Sequence, residues 1–588
     1  MTHKKPIADL HCHPSIKPFR NKEQFKNIWV HGRNKEPKDY FKTISIRKWI
    51  INAVLKKMAT FSQSNLDDCY KGGNRLVFCS IYPFERPFLR PDRPFSRAKR
   101  FHRFALKVLF RKKVYPWGIK IDVKISSLLS GGSLEWLQKV IDRIHRDGVE
   151  YIKYYDEYIK ERDFIFNYDN TTSPNTQDGV TPKFCLVKNY EELQTKKNKD
   201  VICGVFTVEG IHSFAKYKRS NLLFANSIDD LSDNDQNRLK REFTNNIVQV
   251  KKQKYPPFFI TLSHHFNSLV AGHAASFADH KFIQPGFKDI FNQLPGMNTG
   301  ITSFGEKLIR EYLLSREHGP RILIDTKHMS IKARRRYYEM INEIRKDDSL
   351  HENIPIISSH TAVSGISTLQ KAEEEIDSRP SDKHSFVSRY DINITNEDII
   401  ETFKSDGLIG ICMHDGRMPG GKFRKKIKQA GKDRKKLKKL HVQMFLTNVF
   451  HIVKVNLNFI RVENENRVTS KIEEKDAWKI IGLGSDNDGI VDPFDHYDTA
   501  ADLTDFKMDI VNFIDNYDHP DNHNYKIITL GDNERKEGEL SGVEIQGFLL
   551  GQTAAEVADR VFYNNTDMFL SKYFTQHYLE SVVPDLVV

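Results

Sequence analysis

The stretch Ile7-Ala8-Asp9-Leu10-His11-Cys12-His13 is a short apolar run that ends in two histidines spaced two apart. Side chains alternate between faces along an extended strand, so residues 11 and 13 point the same way. Neutral imidazole binds zinc and similar metals through one ring nitrogen. A strand that finishes in this pair can deliver two ligands to one ion. Taken alone, the pair is also what an ordinary strand end would show, so the rest of the chain has to decide.

Working outward, eight short β-rich apolar runs can be read: Ile7–Leu10, Leu76–Tyr82, Val201–Val208, Phe258–Ser263, Ile322–Thr326, Ile354–Ser359, Leu408–Met413 and Ile480–Ser485. Near-continuous apolar runs fit strands buried on both faces, as in parallel sheets. Helical stretches lie between many of them. Ser303-x-x-Glu306 reads as a capping box, Ile331–Lys346 is charged and periodic, and Thr395-Asn396-Glu397-Asp398 opens another helix. Beyond the last run, Ser541-x-x-Glu544 opens a further helix, followed by Ala554–Phe574. This alternation predicts an α/β fold, a (β/α)8 TIM-type barrel with long insertions at the barrel mouth. Such barrels place their chemistry at the C-terminal ends of the strands. The residues just past the runs are His11 and His13, Glu209, His264 and His265, His328, His360, His414 and Asp486. Chosen by position alone, they are rich in metal ligands.

At 588 residues the chain exceeds a minimal barrel of about 250. We read one barrel over 1–588, with insertions near 18–70, 83–130, 155–195 and 415–470, and C-terminal helices over 535–588 packed on it. The net charge of +14 gathers in two basic runs, 86–113 and 422–439. With no nucleic-acid motif beside them, they read as a solvated helix face or a lid, and no nucleic-acid partner is expected. The six cysteines are scattered, with no C-x-x-C pair, which suits a reducing compartment. The first strand starts within a few residues of Met1, so no signal peptide is read. No apolar run reaches the ~18 residues of a membrane span. The expectation is a soluble, cytoplasmic protein.

Several of these segments resemble the membrane (renal) dipeptidase family of the amidohydrolase superfamily. They are ADLHCH, GVFTVEGIHSF, ITLSHHFN, GITSFGEKLIREY followed by ILIDTKHMS, PIISSHTAVSG and IGLGSDNDGI, in the family's order. The C-terminal QGFLLGQTAAEVADRVFYNNTDMFL resembles its closing helices. The resemblance implies two divalent metal ions, with zinc the expected metal. His11 and His13 would hold one, His328 and His360 the other, and Glu209 would bridge them. It also implies that His264 stabilises oxyanion charge and that Asp486 orients or deprotonates a hydroxide shared by the metals. Arg389, just before the NITNED segment, would bind the substrate's carboxylate. The family usually carries His-x-Asp at the first strand, whereas this chain has His-x-His, one negative charge fewer.

The implied activity is cleavage of a small amide or peptide bond, most simply in a dipeptide, with a homodimer as the family's usual assembly. Other readings stand beside it: N-acyl amino acid deacylation, lactone or phosphoester hydrolysis, or a non-catalytic barrel that binds through its basic insertions. On strand alternation, His264 and His265 compete for one role, with His264 favoured. His212 would support the site, while His414 and Asp488 would be structural.

Overall fold

Eight parallel strands form where the apolar runs lie: β1 Ile7–Cys12, β2 Asn74–Ile81, β3 Val201–Glu209, β4 Phe259–Thr261, β5 Leu323–Asp325, β6 Ile357–Thr361, β7 Leu408–Ile411 and β8 Ile481–Leu483. They follow one another in that order through a single sheet. The circle returns to β1 where Cys12 pairs with Asn487. His13 N donates to Asn487 O and Asp486 N to His11 O, both at 2.9 Å. The fold is thus an α/β TIM-type barrel surrounded by helices. Every residue of β1, β3 and β6 is buried, which is why the runs carry no polar alternation. This computed structural model describes residues 5–21, 26–30, 62–89, 138–140, 142, 149–276, 293–346, 353–376, 384–467, 469–489 and 492–580.

The helices start where local chemistry allows. Helix α1, Asp233–Lys251, is capped by Ser232, whose side chain accepts from Asp235 N. Helix α2, Ile331–Lys346, follows β5 with the bounds read from its periodicity. Helix α3, Asn396–Lys404, starts where expected, and Thr395 and Asp398 form a capping box at its head. The box read at Ser303 is displaced by one residue: Thr302 is the cap, and it accepts from Gly305 N.

Two of the expected insertions hold parts of the framework. Within 155–195, Lys183–Val187 is a ninth strand, parallel to the first half of β3. The last residues of β3, Val208 and Glu209, pair instead with Ile260 and Thr261 of β4. The ninth strand therefore covers the lower edge of β3 where the short β4 does not reach. Within 415–470, helix α4, Arg434–Glu465, runs for 32 residues after β7 and is buried over most of its middle. It is the barrel helix between β7 and β8, not a surface excursion. Its charged start joins the helix Gly421–Ala430 in a solvated basic face: Phe423 and Leu437 are buried, while Lys425, Lys428, Lys435 and Lys436 are exposed. Most of the other basic run, from residue 90 to 113, lies outside the described residues, as do 31–61 of the first insertion.

At the opposite end, the C-terminal helices pack on the barrel. Asn565 Nδ2 donates to Trp478 O at 2.7 Å and to Ile481 O at 2.8 Å. All six cysteines are buried and free. Among the described residues, no helix is long and apolar enough to cross a membrane.

Candidate metal centre

Glu209, the last residue of β3, stands among imidazoles delivered by β1, β5 and β6. Its Oε1 lies 3.5 Å from His11 Nε2, 3.4 Å from His328 Nε2 and 3.6 Å from His360 Nε2. Its Oε2 lies 3.3 Å from His13 Nε2 and 3.4 Å from His264 Nε2. The Nε2 atoms of His11 and His13 are 3.0 Å apart, and those of His328 and His360 are 3.3 Å apart. His11, His13 and Glu209 form one three-donor set, and Glu209, His328 and His360 a second. The sets share Glu209, as a bridging carboxylate requires. All these residues are at most 2 % exposed, so a cation here would be held largely by protein.

Hydrogen bonds from behind show that the donor atoms suit a metal. Ser359 Oγ lies 2.6 Å from Asp325 Oδ2, 2.9 Å from His360 Nδ1 and 3.3 Å from His11 Nδ1. A hydroxyl has one proton, and a carboxylate can only accept. The Ser359 proton therefore goes to Asp325, and both imidazoles donate from Nδ1 to Ser359. Their Nε2 lone pairs are left bare and aimed at Glu209. Likewise His13 Nδ1 donates to Ser80 O at 2.8 Å, which frees its Nε2. Asp325 is itself fully engaged, accepting from Thr261 Oγ1 at 2.6 Å, Ser359 N at 2.9 Å and Lys327 N at 3.0 Å. The donor set thus fits two divalent ions of the nitrogen- and oxygen-binding kind.

The electrostatics agree. Burial favours a neutral Glu209, but His264 and His11 outweigh it and hold the carboxyl well below its ordinary range. Burial pushes His328 and His360 well below the ordinary imidazole value, so both are neutral. For His11, burial opposes the charged form, yet Glu209 and Asp486 raise its pKa. A proton and a metal ion compete for that lone pair.

Backbone strain gathers at the same place. His328, Asp486 and Asp488 have φ of 65°, 60° and 70°, a region sparsely used by residues other than glycine. Asp486 Oδ1 lies 3.9 Å from His11 Nε2 and 3.7 Å from His13 Nε2. Its pKa is raised, chiefly by burial, against the pull of His11. A Cβ on Gly489 would stand 1.9 Å from that oxygen, so a glycine is needed there. Asp488 turns away from the centre, to Lys17 Nζ at 2.7 Å and to Ser64 N at 2.8 Å.

His264 and His265 do not divide into inward and outward residues. Strand β4 ends at Thr261, so alternation lapses and both rings line the centre, 4.9 Å and 4.8 Å from the His328 ring. His264 is the one clamped between carboxylates: its Nδ1 lies 2.6 Å from Glu85 Oε2. Burial lowers its proton affinity, but Glu209 and Glu85 prevail and raise its pKa to about 10. Glu85 is missed by sequence reading because it lies in the loop after β2 and acts through a residue of another strand. His212 Nε2 is spent on Pro83 O at 3.0 Å, and His414 Nδ1 accepts from Gly416 N at 3.0 Å.

Arg389 is placed otherwise than expected. Its Nη1 donates to Gly531 O at 3.1 Å and its Nη2 to Asp532 O, so it braces a distant loop rather than the histidine cluster. Another arginine is near: Arg417, in the turn after β7, feels the charges of Asp486 and Glu209. Lys327, beside His328 and only 3 % exposed, is a second cation there. Both follow strand ends, the signal by which the other residues were found.

One test of the second layer follows. Ser359→Ala removes the acceptor that orients both His11 and His360. Metal affinity, titrated with a competing chelator, is expected to fall about 10–100-fold. Unchanged affinity would contradict this role for Ser359.

No protein-family model and no curated protein matches the chain. Solved structures do. One is described as the dipeptidase AC, a metallo peptidase, with 11% identity, a TM-score of 0.40, and coverage of 97% of this chain and 99% of that one. A second is a metallo peptidase from Rhodobacter sphaeroides liganded with a phosphinate mimic of the dipeptide L-Ala-D-Ala: 11% identity, TM-score 0.41, 97% and 99% covered. A third is an amidohydrolase from Pseudomonas aeruginosa: 11% identity, TM-score 0.34, 86% and 91% covered.

Proposed function

We propose that this protein is a metal-dependent hydrolase that cleaves a small amide or peptide bond, most simply in a dipeptide. The observation that carries the reading is the ring of four imidazole Nε2 atoms around Glu209, with Asp486 beside it. His11, His13 and Glu209 would hold one divalent ion, and Glu209, His328 and His360 the other, with zinc the expected metal. When bound, such a pair supplies an acidified water at neutral pH and polarises the scissile carbonyl.

The chain's own residues then do the following. Asp486 accepts the proton of the attacking water at Oδ1 and passes it to the nitrogen of the leaving amine. Its raised proton affinity suits a group that must both take and give. His264, fixed at Nδ1 by Glu85, turns its Nε2 proton toward the carbonyl oxygen, where negative charge develops. Burial of the centre excludes bulk water, so these few dipoles act at low screening.

The test is turnover by purified, zinc-supplemented protein of two panels, dipeptides and N-acyl amino acids. Dipeptide cleavage that a chelator abolishes and added metal restores is the expected result. Cleavage of N-acyl substrates alone would replace the dipeptide reading with a deacylase. No metal bound and no amide cleaved would overturn both.

A further inference from the structure

Two cations beside the metal centre have no role in the chemistry just given. Lys327 follows β5 and precedes His328, with its backbone N held by Asp325 Oδ1 at 3.0 Å. Arg417 sits in a turn shaped by His414: Gly416 N donates to His414 Nδ1 at 3.0 Å and Arg417 N to His414 O at 3.2 Å. Asn393 Nδ2 and Arg424 Nη2 hold the same turn from outside, through Arg417 O and Gly416 O, at 3.4 Å and 3.5 Å. The strands behind these two residues flank β6, which carries His360. Lys327 and Arg417 lie within electrostatic reach of each other, of Cys412 and of Asp486.

Among the described residues, neither side chain makes an ion pair; Lys327 is only 3 % exposed, and Arg417 is half-buried. An uncompensated buried charge is costly. The carboxylates nearby do not answer both. Asp325 is filled by hydrogen bonds from Thr261, Ser359 and Lys327 N. Asp486 is a single charge and leans toward His11 and His13. The surroundings favour an anion as well: the turn leads directly into the basic helix Gly421–Ala430, whose Lys425 and Lys428 are exposed. Such a face raises the local concentration of anionic ligands.

We propose that Lys327 and Arg417 form a two-cation subsite for a substrate with two carboxylates, an amide whose amine half is an acidic amino acid. This deepens the hydrolase reading and rests on it for the cleavage step, but not for binding. One carboxylate would meet each cation, and the amide would extend from them toward Glu209.

Two measurements test it. In the first, calorimetry compares glutarate with its monoamide, which has the same shape and one charge fewer. Glutarate is expected to bind at least about tenfold more tightly, the scale of one charge-assisted hydrogen bond. Lys327→Met and Arg417→Gln should each erase that margin, while the charge-keeping Lys327→Arg and Arg417→Lys should retain most of it. In the second, kcat/KM is compared for Ala-Glu and Ala-Gln. A preference of about tenfold or more for Ala-Glu is expected, falling toward unity in the neutral variants. Equal binding of glutarate and monoamide by the wild-type protein would overturn the proposal. So would variants that slow Ala-Glu and Ala-Gln by the same factor, since the two cations would then serve only to hold Asp486. Should no amide be cleaved at all, the hydrolase reading fails, and glutarate binding still decides the subsite.

Discussion

Glu209→Gln is expected to lower kcat/KM by a factor on the order of 10³ or more, about 4 kcal/mol of transition-state stabilisation. The same variant should hold less than about one equivalent of metal after dialysis against buffer, where the wild-type protein keeps about two. The substitution changes almost no volume. What it removes is, among the described residues, the only carboxylate within 3.3–3.6 Å of all four imidazoles proposed to hold the metals. A neutral amide offers one weaker acceptor oxygen and no charge to offset two divalent ions. Its amide NH2 would also point a donor at bare nitrogen atoms or at a cation. Metal analysis and turnover should therefore fall together, with circular dichroism unchanged because the barrel strands are untouched. A variant that keeps two metals and near wild-type turnover would show that Glu209 bridges nothing.

Asp486→Asn should separate the two readouts. Asp486 stands farther from the donor atoms, at 3.7–4.0 Å, and the two sets centred on Glu209 are complete without it. Metal content is expected to stay near two equivalents while kcat falls about 10²–10⁴-fold, the range of a lost general acid and base. Asparagine preserves shape, and the backbone bond from residue 486 N to His11 O does not involve the side chain. KM should change much less than kcat, because the proton transfer belongs to the transition state. Parallel loss of metal would instead make Asp486 a ligand through the set it forms with His11 and His360.

The candidate histidines, Glu209 and Asp486 share one property: each sits at or just past the end of a buried strand. His11, His13, Glu209 and His360 are visible because a near-continuous apolar run stops and a histidine or carboxylate follows. His328 and Asp486 are visible in position only. Their left-handed backbone, φ 65° and 60°, is imposed by the loops and leaves no mark in residue type. Strand alternation does not separate His264 from His265, since it holds only while the strand lasts, and β4 ends at Thr261. Arg389 is a candidate only by its place before the NITNED segment. Its guanidinium instead meets carbonyls at Gly531 and Asp532, far along the chain. Helix α4 was hidden behind its charged first turns, while its buried middle reads as apolar without a helical stripe.

The barrel, its strand order and the histidines and carboxylates that the strands carry to one end are legible in the amino-acid sequence. Burial on both faces writes itself into residue type along each run, and the order of parallel strands follows the order of the chain. What orients those side chains is legible only in the folded barrel. Ser359 serving His11 and His360 together, Ser80 O fixing His13, and Glu85 clamping His264 are all contacts between separate strand ends. A hydrogen bond or charge pair of that kind depends on a few ångströms across the barrel mouth, and the linear order of residues does not contain that distance.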